Sequence, residues 1–168
     1  MLIPMFPNPR SFNRNQNSKE FFLYGPQHLM KDANEMINHI KKMDPYPEIL
    51  LVPGAAAVPV ATFVSKSLDI PVKHIESCES LDFRVKLYLE SKNVVVVFST
   101  FRLTSLSRSI LDFLKTNQIE YKKLALFDCE KSRNEALDFL VHQYLDKFSK
   151  GKPVKFFWEA GFYNSGRS

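Results

Sequence analysis

Residues 99–108 read Ser99-Thr100-Phe101-Arg102-Leu103-Thr104-Ser105-Leu106-Ser107-Arg108: five hydroxyl side chains and two arginines, with no carboxylate among them. Hydroxyls donate to oxyanions, and guanidinium groups pair with phosphate in a fixed fork. Mg²⁺, by contrast, is held through carboxylates and water. The set therefore predicts an anion site, with Ser99, Thr100, Arg102, Thr104, Ser105, Ser107 and Arg108 as phosphate-binding candidates. What precedes and follows the loop supports this. Val94 to Phe98 is an uninterrupted apolar, valine-rich run, as in a strand buried on both faces. After the loop, Leu106, Ile110, Leu111 and Leu114 recur at helical spacing. Strand, polar loop and helix together place unpaired backbone N–H groups and a helix dipole around an anion. In the competing account the hydroxyls only cap the helix and the arginines meet water or RNA.

Other chemistry-bearing residues are scattered. Asp128, Glu130, Glu159, His74 and His142 are the candidates for general acid or base. Asp128 and Glu130 stand before an expected helix start, where acids are favoured by the dipole alone. His74 lies near Glu76 and Cys78 without a third orienting group. No residue is assigned a catalytic role. Phe157 and Trp158 are candidates for stacking a base, against the reading that they are core positions of a terminal strand. His28 and His39 read as surface histidines. Cys78 and Cys129 lack CxxC spacing, so no metal site and no cofactor is expected.

Composition narrows the class. At 168 residues the chain has the size of one domain, and it carries fifteen phenylalanines against five glycines. Neither GxGxxG nor GxxxxGK[ST] occurs. A net charge of +5 favours an anionic partner, a phosphorylated small molecule or nucleotide, or a protein or RNA assembly. It falls short of the footprint of a dedicated nucleic-acid binder. No apolar run reaches the ~18 residues of a membrane span, so no membrane partner is expected. Met1 to Phe6 is apolar but broken by Pro4 and Pro7, against a secretory signal. Cysteine usage points to a reducing, intracellular and cytoplasmic setting. The acid-poor start, with Arg10 and Arg14, leaves an organellar address as the alternative.

The elements that must position the loop alternate. A helix is predicted over Gln27–Lys42, then a strand over Glu48–Val52 and a small-residue turn at Gly54-Ala55-Ala56-Ala57. A helix opened by Pro59 follows, then a strand over Val72–Ile75 and a helix over Leu81–Lys92. Beyond the central strand and helix come a strand over Tyr121–Phe127 and a helix from Ser132 to Phe148, its start marked by Ser132 and Glu135 as a capping box. A last strand is expected over Val154–Trp158. Leu81-Asp82-Phe83 recurs as Leu137-Asp138-Phe139, which reads as two core helices packed alike. Residues 1–20 are expected to form a flexible basic arm. Residues 21–168 are expected to form one three-layer α/β domain, with a mostly parallel, Rossmann-like central sheet of about five strands.

From Gln27 to Glu159 this order resembles the type I phosphoribosyltransferase superfamily, which transfers ribose 5-phosphate from phosphoribosyl pyrophosphate to a base. Ala56-Ala57-Val58-Pro59-Val60-Ala61, followed by Leu68-Asp69-Ile70-Pro71-Val72, is similar to that family's first strand-loop-helix. Thr104-Ser105-Leu106-Ser107 fits the Thr-Gly-x-Thr tetrad that opens the helix after its central strand. Phe156-Phe157-Trp158-Glu159 is similar to the late aromatic strand of purine-type members. The family's paired acids fall on Ser99 and Thr100, which cannot serve ribose hydroxyls and Mg²⁺ as carboxylates do. The resemblance thus implies a phosphoribosyltransferase-like protein that has lost its acidic pair and binds phosphate or nucleotide, or acts as a scaffolding subunit. An active nucleobase phosphoribosyltransferase is the alternative.

A second resemblance covers Val94 to Gly166 and is to glutaredoxin-like domains of the SH3-binding glutamate-rich type. It rests on Phe113 to Tyr121, Arg133-Asn134-Glu135 and Lys152-Pro153-Val154. With no cysteine between Phe98 and Ser109, it implies a redox-inactive adaptor, or a subunit of an RNA-containing assembly.

Overall fold

The computed structural model describes residues 21–128, 136–142, 150 and 152–159. The expected arm at 1–20, Cys129, Glu130, the Ser132–Glu135 capping box and the tail at 161–168 lie outside them.

A parallel sheet carries the structure. Its strands are β2 (Ile49–Pro53), β3 (Val72–Ile75), β4 (Val94–Phe101), β5 (Tyr121–Asp128) and β6 (Phe139–His142), in the order β3-β2-β4-β5-β6. The helices are α1 (Pro26–Lys41), α2 (Val58–Leu68), α3 (Phe83–Leu89) and α4 (Ser105–Thr116). β4 has neighbours on both edges and is buried on both faces, with Val95 1% and Val96 0% exposed. Successive side chains of a strand point to opposite faces. Leu50, Val52, Val95 and Val97 accordingly pack with α1 and α2, while Ile49, Leu51, Val94, Val96 and Phe98 pack with α3 and α4. This is the expected α/β architecture with a mostly parallel central sheet.

Two expectations about the C-terminal third do not hold. The helix expected through Phe139, Leu140 and Val141 is instead strand β6, paired with β5 in the register Leu124↔Phe139 and Phe127↔His142. Asp138 fixes that strand's start: its carboxylate accepts from Lys123 N at 2.8 Å, and its own N–H donates to Lys123 O at 2.8 Å. The repeated Leu-Asp-Phe therefore does two different jobs. Asp82 caps α3 by accepting from Arg84 N and Val85 N, whereas Asp138 docks an edge strand on β5.

The strand expected over Val154–Trp158 is shorter and lies elsewhere. β7 (Val154–Phe156) leaves the central sheet and pairs in parallel with β1 (Phe22–Tyr24), a strand with too short an apolar run to stand out in the sequence. Phe157 and Trp158 fall in a helical turn over 157–159, and Glu159 Oε1 accepts from Phe156 N at 3.2 Å. The Lys152-Pro153-Val154 turn thus leads into a two-stranded ribbon and not into a further strand of the main sheet.

Tyr24 ties the ribbon to the sheet. Fully buried, it packs edge-on against Phe127 and Phe156, and its hydroxyl donates to Asp32 Oδ2 at 2.6 Å. His142 Nε2 lies 2.8 Å from the same oxygen. Burial, reinforced by the bond to Asp32, pushes the Tyr24 hydroxyl well above the ordinary phenol range. No described helix is long and apolar enough to cross a membrane.

His28 and His39 are half-buried and not free on the surface. His39 stacks on Phe139 with ring centroids 4.2 Å apart, joining α1 to β6. Burial lowers its pKa below the ordinary 6.5. A histidine held neutral in the fold contributes stability above pH 6.5 that is lost as pH falls through its depressed pKa. Urea unfolding from pH 7.5 to pH 5 should therefore show the midpoint falling more steeply for the native chain than for His39→Gln.

Candidate functional site

Strand order reverses between β2 and β4. The chain leaves β2 for β3 on one side, then returns to β4 on the other. The helices that follow these two strands lie on opposite faces of the sheet, so a crevice must open beyond their carboxyl ends. A hollow of about 390 Å³ lies there, walled by residues 53–57 after β2 and by Ser99, Thr100, Arg102, Thr104, Leu106 and Ser107 after β4. Val154 and Phe156 of the ribbon, and Glu159 in the turn after it, form its third side.

The β2 wall is backbone. Gly54 has φ +68°, a left-handed conformation that side chains disfavour, and its carbonyl accepts from His74 Nε2–H at 2.5 Å. The next residues are alanines, and α2 starts at Ala57 with no capping side chain and Pro59 in its first turn. Val58 N bonds back to Ala55 O at 3.2 Å and Pro59 has no N–H, so of the first amides inside α2 only that of Val60 lacks a partner among the described residues.

Opposite, Thr104 caps α4. Its Oγ1 accepts from Ser107 N and donates to Ser107 Oγ, both at 3.1 Å. This satisfies one of the helix's early amides; those of Ser105 and Leu106 have no partner among the described residues. Ser99, at the base of the hollow, is only 4% exposed and makes no hydrogen bond among the described residues. Its hydroxyl is a donor available to a ligand oxygen in the hollow.

Of the seven phosphate candidates, Ser99, Thr100, Arg102, Thr104 and Ser107 line this hollow. Ser105 is exposed outside it and could contribute only its amide. Arg108 folds back, its Nη2 donating to Leu103 O at 3.4 Å. Phe157 and Trp158 are packed with the core around Tyr24 and do not line the hollow; Trp158 stacks on Phe156 at 4.7 Å. The aromatic residues on its wall are Phe98 and Phe156. Among the described acid-base candidates, only Glu159 is on the wall. The sequence could reveal the Gly54 turn but not Glu159's place: the loop has no acid of its own, and the ribbon brings one. Cys78 instead donates its thiol to Ser109 Oγ at 3.4 Å. No cluster of three or more His, Cys, Asp or Glu suited to a metal occurs among the described residues.

A larger hollow of about 670 Å³ lies at the amino ends of the strands, between Met43, Pro45 and Pro47 and the end of α4 at Leu114 and Lys115. A helix C-terminus there presents carbonyls, which repel anions.

Comparison with solved structures places this architecture. A xanthine-guanine-hypoxanthine phosphoribosyltransferase from Helicobacter pylori superposes with a TM-score of 0.67 at 17% identity, over 88% of this chain and 98% of that one. The fold is that of the type I phosphoribosyltransferases. A purine phosphoribosyltransferase from Pyrococcus horikoshii gives a TM-score of 0.62 at 16% identity, over 83% of this chain and 94% of that one. A hypothetical protein from Neisseria gonorrhoeae with bound ppGpp gives 0.55 at 14%, over 81% and 87%. At such identities the likeness is one of fold alone. Neither a family model nor a curated protein matches the sequence. The transferase fold takes in β2 through β6 as one sheet, so the Val94–Gly166 likeness to glutaredoxin-like domains gains no support.

Loss of the Thr104 cap should be measurable. Thr104→Ala is expected to cost about 1 kcal/mol of unfolding free energy. Ser105→Ala, at an exposed hydroxyl with no bond among the described residues, should stay within about 0.5 kcal/mol of the native chain. Urea denaturation distinguishes the two.

Proposed function

We propose that this chain is a phosphoribosyltransferase-fold protein that binds a phosphorylated ribose or nucleotide in the hollow between the Gly54 turn and residues 99–107, without transferring phosphoribosyl groups. In this proposal Ser99, Thr100, Arg102, Thr104 and Ser107 hold the phosphate with the free amides at the start of α4. Phe156 faces the organic part of the ligand, and residues 21–168 act as one unit. The observation that carries the proposal is Ser99, a largely buried residue that lines the hollow and whose hydroxyl makes no hydrogen bond among the described residues. At Ser99 and Thr100 hydroxyls stand where the family likeness puts a carboxylate pair, which removes the means of managing a ribose diol and Mg²⁺ during transfer. Anion binding does not need those acids. The ppGpp bound to the Neisseria protein shows that a relative of this fold can carry a guanine nucleotide, and guanine nucleotides are therefore the first class to try.

Thermal unfolding with ribose 5-phosphate, guanosine monophosphate and phosphoribosyl pyrophosphate tests binding. A ligand at a hundred times its dissociation constant should add about 2.7 kcal/mol. Arg102→Ala should reduce that gain, whereas Arg108→Ala should not. In parallel, Mg²⁺, phosphoribosyl pyrophosphate and a panel of purines, pyrimidines and orotate should give no turnover. Robust turnover would make the chain an active transferase. Stabilisation by none of the three ligands would remove the binding function.

A further inference from the structure

The carboxylates that Mg²⁺ requires are scarce around this hollow, whereas groups that receive an anion face it from two sides. We propose that the site takes a diphosphate-bearing ligand as the bare anion, with no divalent cation. The proposal rests on the phosphate-binding function above and specifies the form in which the ligand arrives.

Mg²⁺ demands near-octahedral oxygen ligation, dehydrates reluctantly, and is usually held with several of its waters through one or two carboxylates together with substrate phosphates. The β4 loop offers it only neutral hydroxyls, on Ser99, Thr100, Thr104 and Ser107. Glu159 is the one carboxylate on the wall among the described residues, and one of its oxygens already accepts from Phe156 N. With a single carboxylate, one oxygen of it engaged, and otherwise neutral hydroxyls, the described wall is a poor fit for the Mg²⁺ that the fold's transferases imply.

What they fit is negative charge. α2 and α4 begin on opposite walls of the same hollow, at Ala57 and Thr104, each with its positive dipole end there; α4 leaves the amides of Ser105 and Leu106 unpaired among the described residues, and α2 that of Val60. Two such ends match a ligand with two phosphate groups better than one with a single phosphate. Arg102 adds a full positive charge, and the Ser99 hydroxyl a donor with no other partner among the described residues. Chelation by Mg²⁺ would cancel the charge that these groups attract. Glu159 opposes the anion, so its charge should limit affinity.

Calorimetric titration of the full chain with sodium pyrophosphate decides this, once with EDTA and once with excess MgCl₂. Saturable binding is expected with EDTA, weakened when Mg²⁺ sequesters the pyrophosphate. Ser99→Ala should weaken binding about tenfold, as expected for a lost hydrogen bond to a charged group. Glu159→Gln, which keeps an acceptor for Phe156 N, should tighten it. Unfolding midpoints of both variants establish that they are folded. Binding that appears only with Mg²⁺, or is lost in Glu159→Gln, overturns metal-free capture and leaves the phosphate function standing. So does binding of ribose 5-phosphate with none of pyrophosphate. If pyrophosphate, ribose 5-phosphate and guanosine monophosphate all fail to bind in both buffers, the function itself falls.

Discussion

β4 is the constraint on which the rest depends. Val94 to Val97 are buried on alternate faces, so helices must cover both sides of the sheet, and partner strands must occupy both edges. A parallel strand enclosed in this way can release its chain only at its end. Because β2 and β4 send their helices to opposite faces, the two exits cannot close on each other. The hollow follows from strand order, and its chemistry follows from the residues that happen to stand at the two exits. A glycine-alanine turn contributes backbone, and a serine- and threonine-rich loop contributes hydroxyls.

The third wall depends on a different interaction. Phe156 and Glu159 reach the hollow because β7 pairs with β1, and β1 is anchored through Tyr24. The Tyr24 ring sits among Phe127, Phe156 and Trp158, and its hydroxyl is fixed by Asp32, which is 2% exposed. Without a donor the buried Asp32 carboxylate would be strongly destabilising. The Tyr24 hydroxyl and His142, at the end of β6, both lie within hydrogen-bond reach of it. One buried carboxylate thus links α1, the ribbon and the sheet's edge strand, and so places the only acid and the only aromatic ring described on the wall of the hollow other than Phe98.

Most of the architecture was legible because it is written in local patterns. The β-branched run at Val94, the helical stripe from Leu29 to Ile40 and the turn at Gly54 each have one reading. Phe139 to His142 did not, since a short apolar run suits helix or strand equally and only Asp138's pairing with Lys123 decides between them. Val154 to Phe156 read correctly as a strand but not as leaving the sheet, because its partner Phe22–Tyr24 is three residues long and distant in sequence. The loop's candidates divide for a similar reason. Thr104 and Ser107 could be placed by helix-capping rules, whereas Arg108's turn back to Leu103 and Glu159's arrival from the ribbon depend on tertiary structure.

The central claim is that a phosphorylated ligand is held at the carboxyl ends of β2 and β4. The most direct measurement is an amide-resolved ¹⁵N–¹H NMR titration of the labelled chain with guanosine diphosphate. Saturating shifts confined to the Gly54–Ala57 turn and to Ser99 through Ser107 are predicted. Shifts clustered instead around Asn93, Lys115 and Lys122 at the opposite end of the sheet, or none at all, would contradict it.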